Sequence, residues 1–278
     1  MLDACLVAGY QNPRINVQSI LLRQELIRDL TGDRFIPLMS EELRFAVDLN
    51  EVLRARADQL GVRMGPYIDP AKAAGVRRVD EAIAGRDGAL MERWSSALAD
   101  VEAEPLSVLE FACGSANDYR AFAESGLARL LDYKGVDLTP KNIANARRRF
   151  PGISFEIGDM TALPYPDGSY DCVIASDIFE HLPAAAIERT LDEAARLARQ
   201  TVVLTFFNMA DVSEHVIRHK GAYSWNVLSR DEVVERLGRR FPSVQATSIA
   251  RFLADGFDYP RAYNRNAWTI VARRDEGG

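Results

Sequence analysis

From Ser107 onward, short apolar runs alternate with segments of helical period, and this alternation constrains the fold more than any other feature. Val108-Leu109-Glu110-Phe111, Tyr133 to Val136, Ser154 to Ile157, Asp171 to Ala175 and Thr201 to Phe207 read as strands. Helical stretches lie between them, so the strands are expected to run parallel, with helices covering both faces of the sheet. Thr139 followed by Pro140 marks one helix start, and Ser229-Arg230-Asp231-Glu232 reads as a capping box that opens another. Two further strands are expected near Val244 to Ile249 and Trp268 to Ala272.

The first hundred residues have a different texture. Ser40-Glu41-Glu42-Leu43 offers a Ser cap with two acids in the first turn, where the helix dipole favours them. Leu43, Val47, Leu53, Ala57 and Leu60 follow at helical spacing, and Gly61 supplies a stop. An earlier helix is expected over about Val17 to Leu30. A third falls between Val76 and Leu98, interrupted by Gly85 and Gly88, after the loop Gly65 to Pro70. The expected division is a helical region over residues 1–105 and a sheet domain over 106–278. Two roles are open for the helical region: a lid from which Tyr10, Asn12, Arg14 and Arg23 reach inward, or an arm that joins two copies into a homodimer.

Composition narrows the function. The chain has 278 residues, enough to bury roughly three quarters of its unfolded surface without disulfide or metal staples. Forty acidic against 34 basic residues, a net charge of -6, disfavour a nucleic-acid partner. Cys5, Cys113 and Cys172 are odd in number and far apart, so neither a disulfide framework nor a metal cluster is expected. No run approaches 18 apolar residues, which leaves no candidate membrane span. The expectation is a soluble cytoplasmic protein.

In a parallel sheet, ligands bind beyond the carboxyl ends of the strands, and the loops there share a character. The first reads Glu110-Phe111-Ala112-Cys113-Gly114-Ser115-Ala116, small residues that let a ligand approach the backbone. It lacks the three glycines of a dinucleotide phosphate cradle, which disfavours a dehydrogenase. Asp137, closing Gly135-Val136-Asp137-Leu138, can accept from ribose hydroxyls or cap the next helix. Asp159 in Gly158-Asp159-Met160 can hold an adenine amine, with Met160 flat on the ring, or serve as a turn residue. The continuous apolar run ending at Ser176 and Asp177 reads as a buried central strand, followed by Phe179-Glu180-His181-Leu182.

With these residues in this order, the chain resembles class I S-adenosylmethionine-dependent methyltransferases, over about residues 106 to 274. The resemblance implies a Rossmann-like α/β sheet of seven strands in the order 3-2-1-4-5-7-6, the seventh antiparallel. It also implies S-adenosylmethionine as cofactor. Glu110, Ala112, Cys113, Gly114 and Ala116 would lie at its methionine part, Asp137 and Leu138 at the ribose, Asp159 and Met160 at the adenine, and Ser176 and Asp177 beside them. The chain departs from the pattern in having Ala112 and Ala116 where glycines are usual, so two methyl groups are expected to crowd the turn.

Displacement at a methyl sulfonium is mainly a problem of alignment, and a general base is needed only when the acceptor arrives protonated. His181, just past the fourth strand, is the candidate base; its plainer role is packing near Pro183. Phe207, Asn208, His215 and Trp225, with His219, Tyr223 and Asn226 nearby, are candidates for the acceptor pocket. His215 and His219, four apart, could share a helix face, but without a third ligand no metal is expected. Arg147-Arg148-Arg149 reads as cations capping the end of the helix begun at Pro140. The function expected is methylation of a small molecule on oxygen or nitrogen. The alternatives are a methyltransferase acting on RNA or protein, and a cofactor-binding scaffold without activity.

Overall fold

A computed structural model describes residues 16–59, 81–221, 223–261 and 264–274. The chain divides into two units. The first takes residues up to 103 together with Asn117–Arg129 and Leu253–Tyr263, and the second takes the remainder. The division expected from sequence was a single cut at 105; the first unit also draws in those two later segments.

Among the described residues, three long helices dominate the first unit: α1 (Val17–Thr31), α2 (Ile36–Gln59) and α3 (Glu81–Ala99). Asn16 caps α1, its side-chain oxygen accepting from the Gln18 N–H at 2.9 Å. The expected Ser40 cap is not a helix start. A 3-10 turn over Gly32–Phe35 feeds directly into α2, and Pro37 occupies its first turn, where a missing N–H costs nothing. The α3 helix runs unbroken through Gly85 and Gly88. Leu90, Trp94 and Leu98, buried at four-residue spacing, outweigh the roughly 1 kcal/mol that each glycine costs. Gly61 and the loop over 65–70 lie outside the described residues.

Arg23, expected to reach toward a ligand, does not. It is fully buried and pairs with the equally buried Glu42, whose other oxygen accepts from Trp94 Nε1 at 3.0 Å. A charge removed from water in this way holds its place only while its partner stays, so Arg23 is part of the helical core.

The second unit is built on seven strands: β1 (Leu106–Phe111), β2 (Leu131–Asp137), β3 (Ser154–Ile157), β4 (Tyr170–Ser176), β5 (Ala198–Phe206), β6 (Ser243–Ser248) and β7 (Trp268–Arg273). Their order is 3-2-1-4-5-7-6, with β7 antiparallel to both neighbours and the other pairings parallel. Alternate residues Val173 and Ala175, Val202, Leu204 and Phe206, and Trp268, Ile270 and Ala272 share one buried cluster. Ile187 and Leu191 of α6 (Ala184–Leu197) and Val233 and Leu237 of α7 (Arg230–Gly238) join it. Each of the larger side chains here contributes roughly 1.5–3 kcal/mol, so this face anchors the strand tips above it. The remaining helices are α4 (Asn117–Glu124), α5 (Pro140–Arg149) and α8 (Ile249–Phe257). No helix among the described residues is long and apolar enough to cross a membrane.

Helix starts depart from the sequence reading in two instructive ways. Thr139 occupies the N-cap position of α5 but its side chain makes no capping bond; Asp137 Oδ1 accepts the Thr139 N–H at 2.7 Å instead. At α7, Ser229 Oγ accepts from the Glu232 N–H at 3.2 Å, half of a capping box. The other half is filled by His215, whose Nδ1 accepts the Ser229 N–H at 2.9 Å. Burial holds His215 below its ordinary value, while Glu232, whose Oε2 lies 2.9 Å from the same nitrogen, opposes the shift. The arginines 147–149 do not cap their own helix. Arg147 bonds the Phe155 carbonyl, Nε at 3.0 Å, Arg148 the Asn145 side chain and Arg149 the Ser115 carbonyl.

Candidate active site

The carboxyl ends of β1, β2 and β3 are tied together by their own backbone. The Cys113 N–H donates to the Val136 carbonyl at 3.0 Å, and the Gly158 N–H donates to the Asp137 carbonyl at 3.2 Å. Asp137 completes the link, Oδ2 accepting from the Gly114 N–H at 3.0 Å. Glu110, Asp137 and Asp159 thus belong to one end of the sheet: Glu110 pairs with Gly135 and Asp137 with Ile157.

Glu110 is buried in β1 and accepts from the Tyr133 hydroxyl at 2.5 Å. Gly135 makes that contact possible, because a Cβ there would come within 2.8 Å of both Tyr133 Oη and Cys113 Sγ. Cys113 is buried, and burial, reinforced by the nearby Glu110 and Asp137 charges, pushes its thiol far above the ordinary range. Above it the turn opens. A Cβ built on Gly114 would meet nothing within 4 Å.

Ala112 and Ala116 adopt φ values of 50° and 63°, in the left-handed region where glycine is favoured. The departure from glycine is therefore felt in the backbone conformation, where the sequence reading had expected side-chain crowding. Asp177, at the tip of β4, is also left-handed at 50°. Its N–H donates to the Thr205 carbonyl at 3.1 Å and its Oδ1 accepts from Thr205 Oγ1 at 3.2 Å, which fixes β4 to β5 beside Ser176. Left-handed non-glycine residues gather at sites that need a defined backbone shape.

The tips of β2 and β3 expose apolar surface: Leu138 is 70% exposed and Ile157 56%. Asp159 is exposed next to half-buried Met160. It accepts from the Thr161 N–H at 2.9 Å, and this bond, with the Thr161 hydroxyl, holds its carboxyl below the usual range. Two large aliphatic side chains left in water, flanked by two carboxylates, fit a planar base joined to a ribose.

A second cluster lies past β4 and β5. The His181 ring centroid is 5.3 Å from that of Trp225 and 6.2 Å from that of Tyr223; Phe207 is 5.9 Å from Trp225. His181 Nδ1 lies 3.2 Å from the Ser224 carbonyl, which can only accept, so Nδ1 carries a proton. In the neutral ring Nε2 then keeps its lone pair. His181 itself is exposed, at the end of the 3-10 turn Phe179–His181.

Of the residues proposed for the acceptor, Phe207 and Trp225 join His181 in this cluster. Asn208 and His215 are corrected by the structure. The Asn208 side chain is buried and committed, donating to the Asn226 carbonyl at 2.7 Å and accepting from Asn266 at 2.9 Å. His215 is committed to Ser229, and neither it nor His219 stands on a helix. Tyr10, Asn12 and Arg14 lie outside the described residues. Among the described residues, no three His, Cys, Asp or Glu side chains are grouped to hold a metal ion. Two participants were missed from sequence: Arg149, which braces the 112–116 turn through Ser115, and Ser224, which sets the His181 ring. Neither has a local signal, since each acts through a backbone carbonyl brought near by the fold.

Residues 108–201 match the methyltransferase domain family, spanning the β1 turn, the β2 and β3 tips and β4. This stretch is a methyltransferase domain. Its strand order is that of class I, and the family uses S-adenosylmethionine. The chain is 30% identical over 182 residues to the phthiotriol/phenolphthiotriol dimycocerosates methyltransferase of Mycobacterium leprae, covering 54% of this chain and 65% of that protein. It is 28% identical over 137 residues to norajmaline N-methyltransferase of Rauvolfia serpentina, covering 47% and 42%. The chain therefore spans less than two thirds of either relative. The crystal structure of Burkholderia thailandensis 1,6-didemethyltoxoflavin-N1-methyltransferase, with 1,6-didemethyltoxoflavin and S-adenosylhomocysteine bound, aligns at a TM-score of 0.45 and 18% identity. That alignment covers 70% of this chain and 82% of that one.

Proposed function

We propose that the protein transfers a methyl group from S-adenosylmethionine to an oxygen or nitrogen of a small molecule, with His181 as general base for a hydroxyl acceptor. The observation that carries the reading is the pairing of two surfaces at one end of the sheet. One is the Gly114–Asp137–Leu138 edge with its exposed aliphatic tips, and the other is the His181–Phe207–Trp225 aromatic wall past β4 and β5.

Bound S-adenosylmethionine supplies an electrophilic methyl on a sulfonium, open to direct displacement. Asp137 and Asp159 offer carboxylate oxygens to ribose hydroxyls and to an amine, and the 112–116 turn offers open backbone at Gly114. Trp225 and Phe207 orient a flat or apolar acceptor. His181, with Nδ1–H given to Ser224, takes the acceptor proton on Nε2. The two relatives are named for small organic acceptors, one of them methylated on nitrogen, which supports a small-molecule substrate.

Calorimetry tests the cofactor half: S-adenosylhomocysteine binds and NAD does not, and a failure of both S-adenosylhomocysteine and S-adenosylmethionine to bind removes the proposal. For the base, His181→Ala lowers turnover on a hydroxyl acceptor about 10²–10⁴-fold; unchanged turnover returns His181 to a packing role.

A further inference from the structure

Glu180 precedes the candidate base, yet its side chain points the other way, into the protein. It is 1% exposed. Its Oε1 accepts from the Asn208 N–H at 2.9 Å and also from the Phe207 N–H, the two consecutive amides just past β5. Its own carbonyl accepts from the Asn226 N–H at 2.9 Å. One residue of the β4 turn therefore grips both segments that bring rings to His181: the turn carrying Phe207 and the segment carrying Trp225.

The grip is extended by amides. Asn226 Nδ2 donates to the Leu182 carbonyl at 2.7 Å, Asn208 Nδ2 donates to the Asn226 carbonyl at 2.7 Å, and Asn264 Nδ2 donates to the Phe207 carbonyl at 2.5 Å. Glu180 Oε2 stands apart from all of this, buried and without a hydrogen-bond partner among the described residues. A buried polar atom left idle is unfavourable, so an aliphatic side chain would be the simpler occupant unless Oε1 were needed where it is.

We propose that Glu180 is a positioning residue for the acceptor wall, its Oε1 fixing the post-β5 turn and thereby the packing of Phe207 and His181 against Trp225. The inference rests on reading that wall as the acceptor side of the site. What the geometry demands is an acceptor oxygen at a set reach, a demand glutamine also meets. A merely space-filling role would be met by methionine equally well.

Trp225 reports on the arrangement without any substrate. An indole held in one arrangement among other rings gives a structured near-ultraviolet circular dichroism band. The Trp225 contribution is the difference between each protein and its Trp225→Phe counterpart, which removes the signals of Trp94 and Trp268. In the wild type that difference is a resolved band, and His181→Asn changes it. Glu180→Gln retains the wild-type band and Glu180→Met loses it, far-UV circular dichroism being unchanged in both. The proposal is overturned if the wild type shows no band, if Glu180→Met keeps it, or if Glu180→Gln loses it. Should Glu180→Met fail to fold, Glu180→Asp replaces it: the carboxylate is one methylene short of both amides, loss of the band supports the proposal and retention overturns it. Calorimetric binding of S-adenosylhomocysteine to the wild type is measured alongside, so a failed cofactor reading is told apart from a failed positioning role.

Discussion

Asp137 holds the Gly114 N–H at 3.0 Å on one carboxylate oxygen while the other accepts the Thr139 N–H at 2.7 Å and Asn142 Nδ2 at 3.2 Å. The same side chain thus shapes the 112–116 turn, starts α5 and stands where a ribose is proposed. Of the two readings open for this residue from sequence, the cap is seen, and the proposed ligand contact is compatible with it, because a carboxylate has about four lone-pair directions and three are taken. Asp137→Ala therefore weakens S-adenosylhomocysteine binding at least tenfold by calorimetry and also lowers thermal stability. Asp137→Asn keeps one acceptor oxygen, so its binding falls between the two. Wild-type affinity in Asp137→Ala would remove Asp137 from the site.

The left-handed alanines predict effects of different size at two positions of one turn. A non-glycine residue in this region is strained by about 1–2 kcal/mol, and a glycine gives back roughly 0.4–1 through unfolded-chain entropy. Ala112 is half exposed, so Ala112→Gly is expected to stabilise the fold by about 0.5–1 kcal/mol. Ala116 is fully buried, and losing its methyl costs a further ~0.8 kcal/mol, which leaves Ala116→Gly near neutral. Urea denaturation of the two variants checks the ordering; equal effects would mean that burial plays no part.

The sheet was legible from the sequence because its signal is local. Each strand is a short apolar run and each intervening helix has its own period, so β3 was placed over 154–157 as observed and the other strands within about three residues at either end. Helix starts were less legible where the cap is not the adjacent Ser or Thr. Asp137 caps for Thr139 and His215 completes the turn at Ser229, both through contacts that only the folded chain creates. Polarity misled in the same way: Arg23 and Asn208 look like ligand contacts from their chemistry, but each is bonded inside its unit. The loops carrying Glu110, Asp137 and Asp159 were legible as a set since a parallel sheet delivers consecutive strand tips to one edge. Glu180 was not, because nothing in its neighbours tells an inward carboxylate from an outward one.

Cys113 lies among the strand tips, yet the structure argues against thiol chemistry there. Burial is the main reason its proton is retained, and the Glu110 and Asp137 charges add to it. Since the thiolate is the reactive form, native protein at pH 8 is expected to leave Cys113 unmodified by iodoacetamide, while denatured protein is alkylated. Mass spectrometry of the peptide spanning residue 113 gives the result. Rapid native alkylation would show the turn to be open beneath Gly114.

Glu180 also links the site to stability through pH. Burial raises its carboxyl above the ordinary 4.5, opposed by the Asn208 and Phe207 amides and by His181. The folded protein then keeps this proton at pH values where the unfolded chain has released it. The stabilising contribution is accordingly complete below about pH 4.5 and is lost as pH rises through the raised folded value. Glu180→Gln mimics the protonated form at every pH. Its stability relative to wild type should stay flat in acid and then climb, by up to about 1.4 kcal/mol per pH unit, until the folded carboxyl ionises. Taking the difference between the two proteins cancels Asp159, Asp171 and Glu193, whose lowered values act in the opposite direction. Urea denaturation of both from pH 4 to pH 9 measures it, and a difference independent of pH would mean that folding leaves the Glu180 carboxyl unshifted.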